Sequence, residues 1–514
     1  MIESLTMENN SNDSELRLRL ALGRIPYVTF GFSFVLFILL YSPLFTYSEL
    51  EFNIDDTYDY YGAGYQLYLA AGRWGLALVR YFTSGVPMTT GILVCDFFVS
   101  AALVLQIRIF RIASPLLVVL YIVASLSSFQ YVSWLLFSVM TDVTGCGIFL
   151  ATCAAYFLLR ACRLSCRKKE QWRNILFGVL LVTLAVGFYQ TVVLLYCCIV
   201  IAFAIQKGLK SETIPVRELF LCAASASFAV FFTLTVKYFS VSLGIVSSDV
   251  LSATQKYQDS LVHYDALFAM NVGELCRTFA FYLLLWIKLA FGASSTSGIL
   301  GCLVVVPVFF IVYSVMRNIK GGLHKCSILI LLGGLLMIPY VLPILFCIPS
   351  AAHESYSNRM FTAAPTVYAF LWVTSLGYLS RGVNFLFVRR SIVFLMILGV
   401  FHAMYQINSM AKGAHQFALN FNKELILLEG DVNRMAAEKG RKGSEIRKIV
   451  IQSGTSHGQD VHAANPLIRN FHIPTPSEYE LYKPIWSKMP TWPSKGAIRW
   501  INNDTVIINF HDRD

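Results

Sequence analysis

The sequence predicts an all-α polytopic membrane protein of about eleven spans, followed by a small C-terminal α/β soluble domain. The chain has 514 residues, 56% hydrophobic and only 14% charged, with a mean hydropathy of +0.61, whereas a soluble domain is about a quarter charged. Apolar runs near twenty residues recur along it, long enough to cross about 30 Å of hydrocarbon, and 39 Phe and 26 Tyr accompany them. Composition then changes at Ala411: 25 of the last 104 residues are charged, against 46 of the 410 before them. These observations exclude an ordinary soluble globular protein.

Residues 1–24 are polar and read as an N-terminal tail on the cytoplasmic side. The first apolar run is too long for the h-region of a signal peptide and lacks a small-residue cleavage site, so it is expected to stay in the protein. Hydropathy windows place spans at 25–47, 88–107, 115–134, 136–159, 174–189, 190–206, 218–237, 297–316, 326–348, 361–380 and 391–410. The two short segments at 174–189 and 190–206 share a hinge from Gly187 to Gln190 and read as a tight hairpin. The apolar stretch 275–292 carries Arg277 and Lys288, and a crossing there would invert every later loop. It is therefore assigned to the outer interface or to a re-entrant segment. Residues 25–410 form the membrane domain, with a first outer loop at 48–87. Residues 411–514 form the soluble domain, with a helix through Phe417 to Ala437, strands at Ile446 to Gln452 and Thr505 to Phe510, and a Pro- and Trp-rich connection between them.

Charge placement orients the spans. The net charge of +11 would suggest nucleic acid in a soluble protein, but here the cations sit in short loops, and the lipid bilayer is the expected partner rather than nucleic acid. With the N-terminus inside, the inner segments hold twenty Lys or Arg and the outer segments before the tail hold seven, as the positive-inside rule requires. An odd number of spans puts the tail domain outside. The 12 Cys all lie in the apolar portion without metal-ligand spacing and read as core filler.

The first outer loop concentrates acid: Glu49, Glu51, Asp55, Asp56 and Asp59 come directly after the first span. A solvated loop is the ordinary explanation of such a cluster. The neighbouring aromatic residues favour a fixed position instead, because Tyr58, Tyr61, Tyr65, Tyr68, Gly72 and Leu76 recur at three- and four-residue steps and predict one interfacial helix beneath the Asp pair. The string Ile54-Asp55-Asp56, the Tyr-rich stretch ending in Gly72-Arg73-Trp74, the corner Gly187-Phe188-Tyr189-Gln190, and Tyr405-Gln406 through Asn420-Phe421 together resemble the glucosyltransferase II family of bacterial multi-pass enzymes. Their order and placement, more than any single motif, carry the resemblance.

That resemblance implies a GT-C type integral-membrane glycosyltransferase in the bacterial inner membrane. It would take glucose from a polyprenyl phosphate sugar donor, with inversion, and pass it to a glycan acceptor such as lipopolysaccharide O-antigen or another surface glycan. It also implies that Asp55 or Asp56 holds the catalytic carboxylate, which fits a general base pinned at the membrane surface. The second carboxylate of the pair would orient the first or hold a divalent cation; no cofactor fingerprint such as a P-loop is present. Asp142, near the outer end of its span, would face the same cavity. Arg359, in a short polar loop, suits a contact to the departing phosphate, whereas Arg73 fits that role and a snorkelling anchor equally. Tyr189 and Gln190 fit either hydrogen bonds to a sugar or the capping of a hairpin turn. Asp96 lies deeper in a span and is expected to be a hydrogen-bonded structural residue. The alternative is a flippase or transporter of a lipid-linked saccharide, which would show repeat symmetry or paired broken helices; neither is evident in the sequence.

Overall fold

The computed structural model describes residues 26–45, 64–82, 88–128, 135, 138–162, 168–210, 213–246, 273, 277, 280, 303–340, 362–379, 385–440, 446, 448–453, 471–472 and parts of 481–510. Its membrane portion is helical. In chain order the helices are α1 (Pro26–Phe45), α2 (Gly64–Ala70), α3 (Trp74–Phe82), α4 (Met88–Ile109), α5 (Pro115–Leu126), α6 (Ser138–Ala161) and α7 (Lys168–Phe188). Next come α8 (Val192–Leu209), α9 (Val216–Ser242), α10 (Val305–Asn318), α11 (Gly322–Met337), α12 (Ala364–Leu379) and α13 (Phe385–Glu438). Among the described residues, 7 helices are long and apolar enough to cross a membrane, and α5, α10, α11 and α12 are shorter. Each of the eleven expected spans holds one of these helices.

Three boundaries move, for local reasons. α5 stops at Leu126 because the Tyr41 hydroxyl of α1 donates to the carbonyls of Leu126, at 2.9 Å, and Ser128, at 3.2 Å, which replaces the next helical turn as their partner. α11 gives way to a 3-10 turn at Ile338–Tyr340, where Pro339 has no N–H to continue the ladder. At the other end of the chain, α13 does not stop at the end of its apolar stretch, Leu386–Gly413, but runs unbroken for 54 residues through position 411. Of the segment 275–292, only the helical positions Arg277 and Ala280 are described, so its expected interfacial placement lies outside the described residues.

α6 is central and packs against α4, α7 and α8. Its Gly145 lies against the α4 backbone, where an added Cβ would stand 2.7 Å from the Cα of Cys95; only a residue without a side chain lets the two helices approach so closely. α5 packs on α12, and α12 also meets α8 and α10. Inside this apolar core, Tyr121 donates to Gln106 Oε1 at 2.8 Å and Gln106 Nε2 donates to Thr152 Oγ1 at 3.3 Å. Thr366 completes the network at 3.4 Å from Gln106 Oε1. One buried amide thus ties α4, α5, α6 and α12 together and fixes their mutual rotation. Asp96 is fully buried and hydrogen-bonded to Ser100 at 3.0 Å, whose hydroxyl is also 3.0 Å from Ser33 of α1.

Hydrogen bonds between helix ends mark two levels among the described residues. At one end, Gln206 donates to the carbonyl of Phe110, His324 meets the carbonyl of Gly208, and Gln171 donates to the carbonyl of Ala161. At the opposite end lie α2, α3, the α7–α8 corner and the start of α12.

Beyond the apolar stretch, the last turns of α13 cover a sheet that has, among the described residues, four strands in the order β2-β1-β4-β3. These are β1 (Lys448–Ser453), β2 (Phe471–His472), β3 (Ile498–Trp500) and β4 (Thr505–Phe510). β1 runs parallel to both β2 and β4, and β3 is antiparallel to β4. Strand alternation splits the core: Ile449, Val506 and Ile508 pack against Leu428, Val432 and Ala436 of the helix. Val450 and Ile507 face the opposite way, onto Tyr482, Trp486 and Met489, as a period of two dictates.

Candidate active site

The corner between α7 and α8 is the point where distant segments meet. Its backbone bonds itself: Tyr189 N–H donates to the carbonyl of Ala185 at 3.0 Å, and the N–H groups of Val192, Val193 and Leu194 donate to the carbonyls of Tyr189, Gln190 and Thr191 at 3.1–3.2 Å. The side chains of Tyr189, Gln190 and Thr191 meet other elements, the first two a single segment and the third another.

The first partner is the segment Ala71-Gly72-Arg73. α2 ends in a Schellman motif, with Arg73 N–H on the carbonyl of Tyr68 at 2.7 Å and Gly72 N–H on the carbonyl of Leu69 at 2.9 Å. Gly72 takes the left-handed position with φ +76, which a β-carbon disfavours. α3 then starts afresh, Ala77 N–H donating to the carbonyl of Arg73 at 2.9 Å. The single interfacial helix expected from the Tyr spacing is thus two short helices at an angle. The ladder also divides: Tyr68 and Leu76 are fully buried, while Tyr65 stacks edge-on with Tyr81 across the bend at 5.8 Å.

This bend holds Arg73 over the Tyr189 ring, its guanidinium carbon 5.1 Å from the ring centroid. Gln190 Nε2 donates to the carbonyl of Ala71 at 2.7 Å. Trp74 fills the gap behind them: its indole lies against Gly187, donates to Thr233 Oγ1 of α9 at 3.3 Å and meets Phe232 edge-on at 5.7 Å. The third corner residue, Thr191, shares a 2.7 Å hydroxyl–hydroxyl bond with Thr362, just ahead of α12. Sequence motifs that stand more than a hundred residues apart, Gly72-Arg73-Trp74 and Gly187-Phe188-Tyr189-Gln190, thus form one constellation.

Of the residues singled out from sequence, the structure brings Arg73, Tyr189 and Gln190 together. Gln190 does not cap its own turn through Nε2 but grips a neighbouring segment. Asp142 lies in the first turns of α6, just before Gly147, which faces Phe188 and Val192 at the corner; its side chain lies outside the described residues. Asp55, Asp56 and Arg359 also lie outside them. Two residues escaped the sequence reading. Thr362 could not be paired with Thr191 by any spacing rule, and Arg80 of α3, one of the seven outer cations, is buried at 7% exposure. Among the described residues no group of three or more His, Cys, Asp or Glu is placed to hold a metal ion.

Chemically, the corner offers a guanidinium held in place by an aromatic face at the head of α3, where the helix's own partial positive charge adds to it. Such a place suits an anionic group next to a polar, sugar-sized ligand. The profile of the family described as Glucosyl transferase GtrII matches residues 44–376, close to two thirds of the chain and inclusive of every corner residue. No curated protein matches the chain.

Proposed function

We propose, because the chain belongs to the glucosyl transferase GtrII family, that this membrane glucosyltransferase draws glucose from a polyprenyl phosphate donor. The acceptor is lipopolysaccharide O-antigen or a related surface glycan, and the reaction takes place at the outer face of the bacterial inner membrane. The observation that carries the reading is the joining of Arg73 to the Tyr189-Gln190 corner, at the helix-bundle end nearest in sequence to the acidic loop.

In this reaction the acceptor hydroxyl approaches the anomeric carbon opposite the phosphate. Asp55 or Asp56 takes its proton as the new glycosidic bond forms, and the bond from the anomeric carbon to the phosphate oxygen breaks with its electron pair on the phosphate. A single displacement of this kind inverts the anomeric centre. Arg359 and Arg73 stabilise the departing charge, which a bidentate guanidinium does better than an ammonium. Arg359 precedes Thr362 by three residues, so the chain keeps it within about 11 Å of a residue bonded to the corner. Asp142 and the Oε1 of Gln190 are suited to sugar hydroxyls.

The test is transfer by purified protein from polyprenyl phosphate glucose to a glycan extract, read by mass analysis. Asp55→Asn and Asp56→Asn keep size and remove charge; at least one should abolish transfer at normal expression, and parent-like rates in both would sink the base assignment. Arg359→Ala should cost roughly two orders of magnitude in rate, the usual loss for one preorganised contact to developing charge, while Arg359→Lys keeps a fraction of it. A loss below threefold for Arg359→Ala would leave Arg73 as the phosphate contact.

A further inference from the structure

We infer that the seam between α6 and α7, at the end of the bundle opposite the corner, binds one anionic phospholipid of the surrounding bilayer through Arg160, Lys169 and Arg173. The register of the seam is fixed on both sides of the two arginines. Gln171 Nε2 donates to the carbonyl of Ala161 at 2.9 Å, and deeper in the bundle the rings of Phe157 and Phe177 stack with their centroids 5.9 Å apart. Gly178 permits the close approach, since a Cβ on it would stand 2.6 Å from Leu158. These contacts run in opposite order along the two helices, so Arg160 and Arg173 come to one level between them, one from each helix. Both are exposed, as is Lys169 one turn before Arg173.

The exposed face of α7 is ordered as a phospholipid is. Lys169 and Arg173 lie four residues apart on it, Trp172 stands beside them at 70% exposure, and Leu176 and Leu180, at 70% and 60%, continue the stripe. From Trp172 to Leu180 the stripe runs about 12 Å, most of the ~15 Å hydrocarbon depth of one leaflet. A tryptophan belongs at headgroup level, so the cations above it match a phosphate and the aliphatic residues below it match an acyl chain. The local charge is one-sided: over residues 157–162 and 168–174, Arg160, Lys168, Lys169 and Arg173 stand against Glu170 alone. Two like charges brought to one level by helix packing favour an anion shared between them, and a guanidinium grips phosphate oxygens bidentately. Arg160 also has an interaction within the protein, which does not exhaust the five donors of its fork. The polyprenyl phosphate of the donor offers the same chemistry, but the proposed transfer places it at the corner, at the other end of these helices. The occupant of the seam is therefore a bulk glycerophospholipid such as phosphatidylglycerol.

The experiment uses the full chain purified in detergent and counts bound lipid by native mass spectrometry. Phosphatidylglycerol is the probe, phosphatidylethanolamine its zwitterionic counterpart, and undecaprenyl phosphate the other source of the same chemistry. The parent should bind phosphatidylglycerol about tenfold more tightly than phosphatidylethanolamine, and Arg160→Gln combined with Arg173→Gln should remove that preference while melting like the parent without lipid. Arg389→Gln combined with Arg390→Gln, which takes two exposed cations from the start of α13 instead, should bind as the parent does. Where the first pair does not fold, Arg173→Lys decides: it keeps the charge, loses the fork, and should bind about threefold more weakly. Parent-like binding in the Arg160 and Arg173 pair, or in Arg173→Lys where that decides, overturns the inference. Equal affinity of the parent for phosphatidylethanolamine, or an equal loss in the Arg389 and Arg390 pair, overturns it in favour of a diffuse attraction between inner cations and the bilayer. Tighter binding of undecaprenyl phosphate, abolished by the Arg160 and Arg173 pair, overturns the assignment to bulk phospholipid.

Discussion

Tyr189, Gln190 and Thr191 point from one turn toward different partners, so substitutions there should differ in kind. Tyr189→Phe keeps the ring under Arg73 and should retain transfer, whereas Tyr189→Leu removes a cation–π contact worth about 1 kcal/mol and should slow transfer about fivefold at equal expression. Gln190→Leu leaves the Ala71 carbonyl without its 2.7 Å donor, at a cost of about 1–3 kcal/mol; this should appear as a lower melting temperature in detergent, and an unchanged one would mean that the bend is held by other contacts. Arg73, Tyr189 and Gln190 were legible in the sequence because each stands in a recognisable string beside a helix break. Arg80 was not, since an arginine on a short aromatic helix reads the same whether it points to headgroups or inward, and only burial separates the two. Nor was the bond between Thr191 and Thr362, two unremarkable hydroxyls brought together by tertiary packing.

At the scale of elements, the α2–α3 bend depends on two glycines. Gly72 at φ +76 makes any β-branched residue costly there, by about 1–2 kcal/mol, so Gly72→Asn should be milder than Gly72→Val in both melting temperature and transfer. Gly187 is tighter, since a Cβ on it would run into the Trp74 indole. Overpacking of this kind typically costs about 1–3 kcal/mol; Gly187→Ala should insert normally yet lose most of its transfer, and full activity would show that the indole can withdraw without disturbing Arg73. The bend escaped the periodicity argument because Gly72 fits a three- and four-residue ladder as well as it fits a helix C-terminus. The helix-end rule for glycine was the signal available, and the continuous Tyr spacing overrode it. The parallel pairing of β1 with β4 was likewise out of reach: both strands were visible as β-branched runs, but more than fifty residues separate them.

For the molecule as a whole, hydropathy was sufficient to place a helix in every expected span, because lipid leaves the backbone no alternative that satisfies its polar groups. The ends of those helices were less legible, being set by individual contacts such as Tyr41 on the α5 carbonyls. The direction of insertion rests on the cation asymmetry and is open to direct test. Alkaline phosphatase fused after Asp514 should be active and a fusion near Lys168 inactive; the opposite pattern would move the corner and the acidic loop to the cytoplasm.

The unbroken α13 sets a reach. Its apolar stretch ends at Gly413, and the sheet packs on it from Leu428 to Ala436, which is about 22 to 35 Å further along a helix rising 1.5 Å per residue. A continuous helix of this length carries the sheet beyond the end of the apolar stretch, and folding the sheet back along it would require breaking the helix. With the outside placement expected from the odd number of spans, we propose that a long glycan acceptor engages the sheet as well as the corner, whereas a single sugar engages the corner alone. Truncation after Lys439 should accordingly leave transfer to a short oligosaccharide near the parent rate and depress transfer to long polymer, measured as the ratio of the two on matched membrane preparations. Equal losses on both would mean that the sheet supports the fold of the enzyme rather than the length of what it modifies.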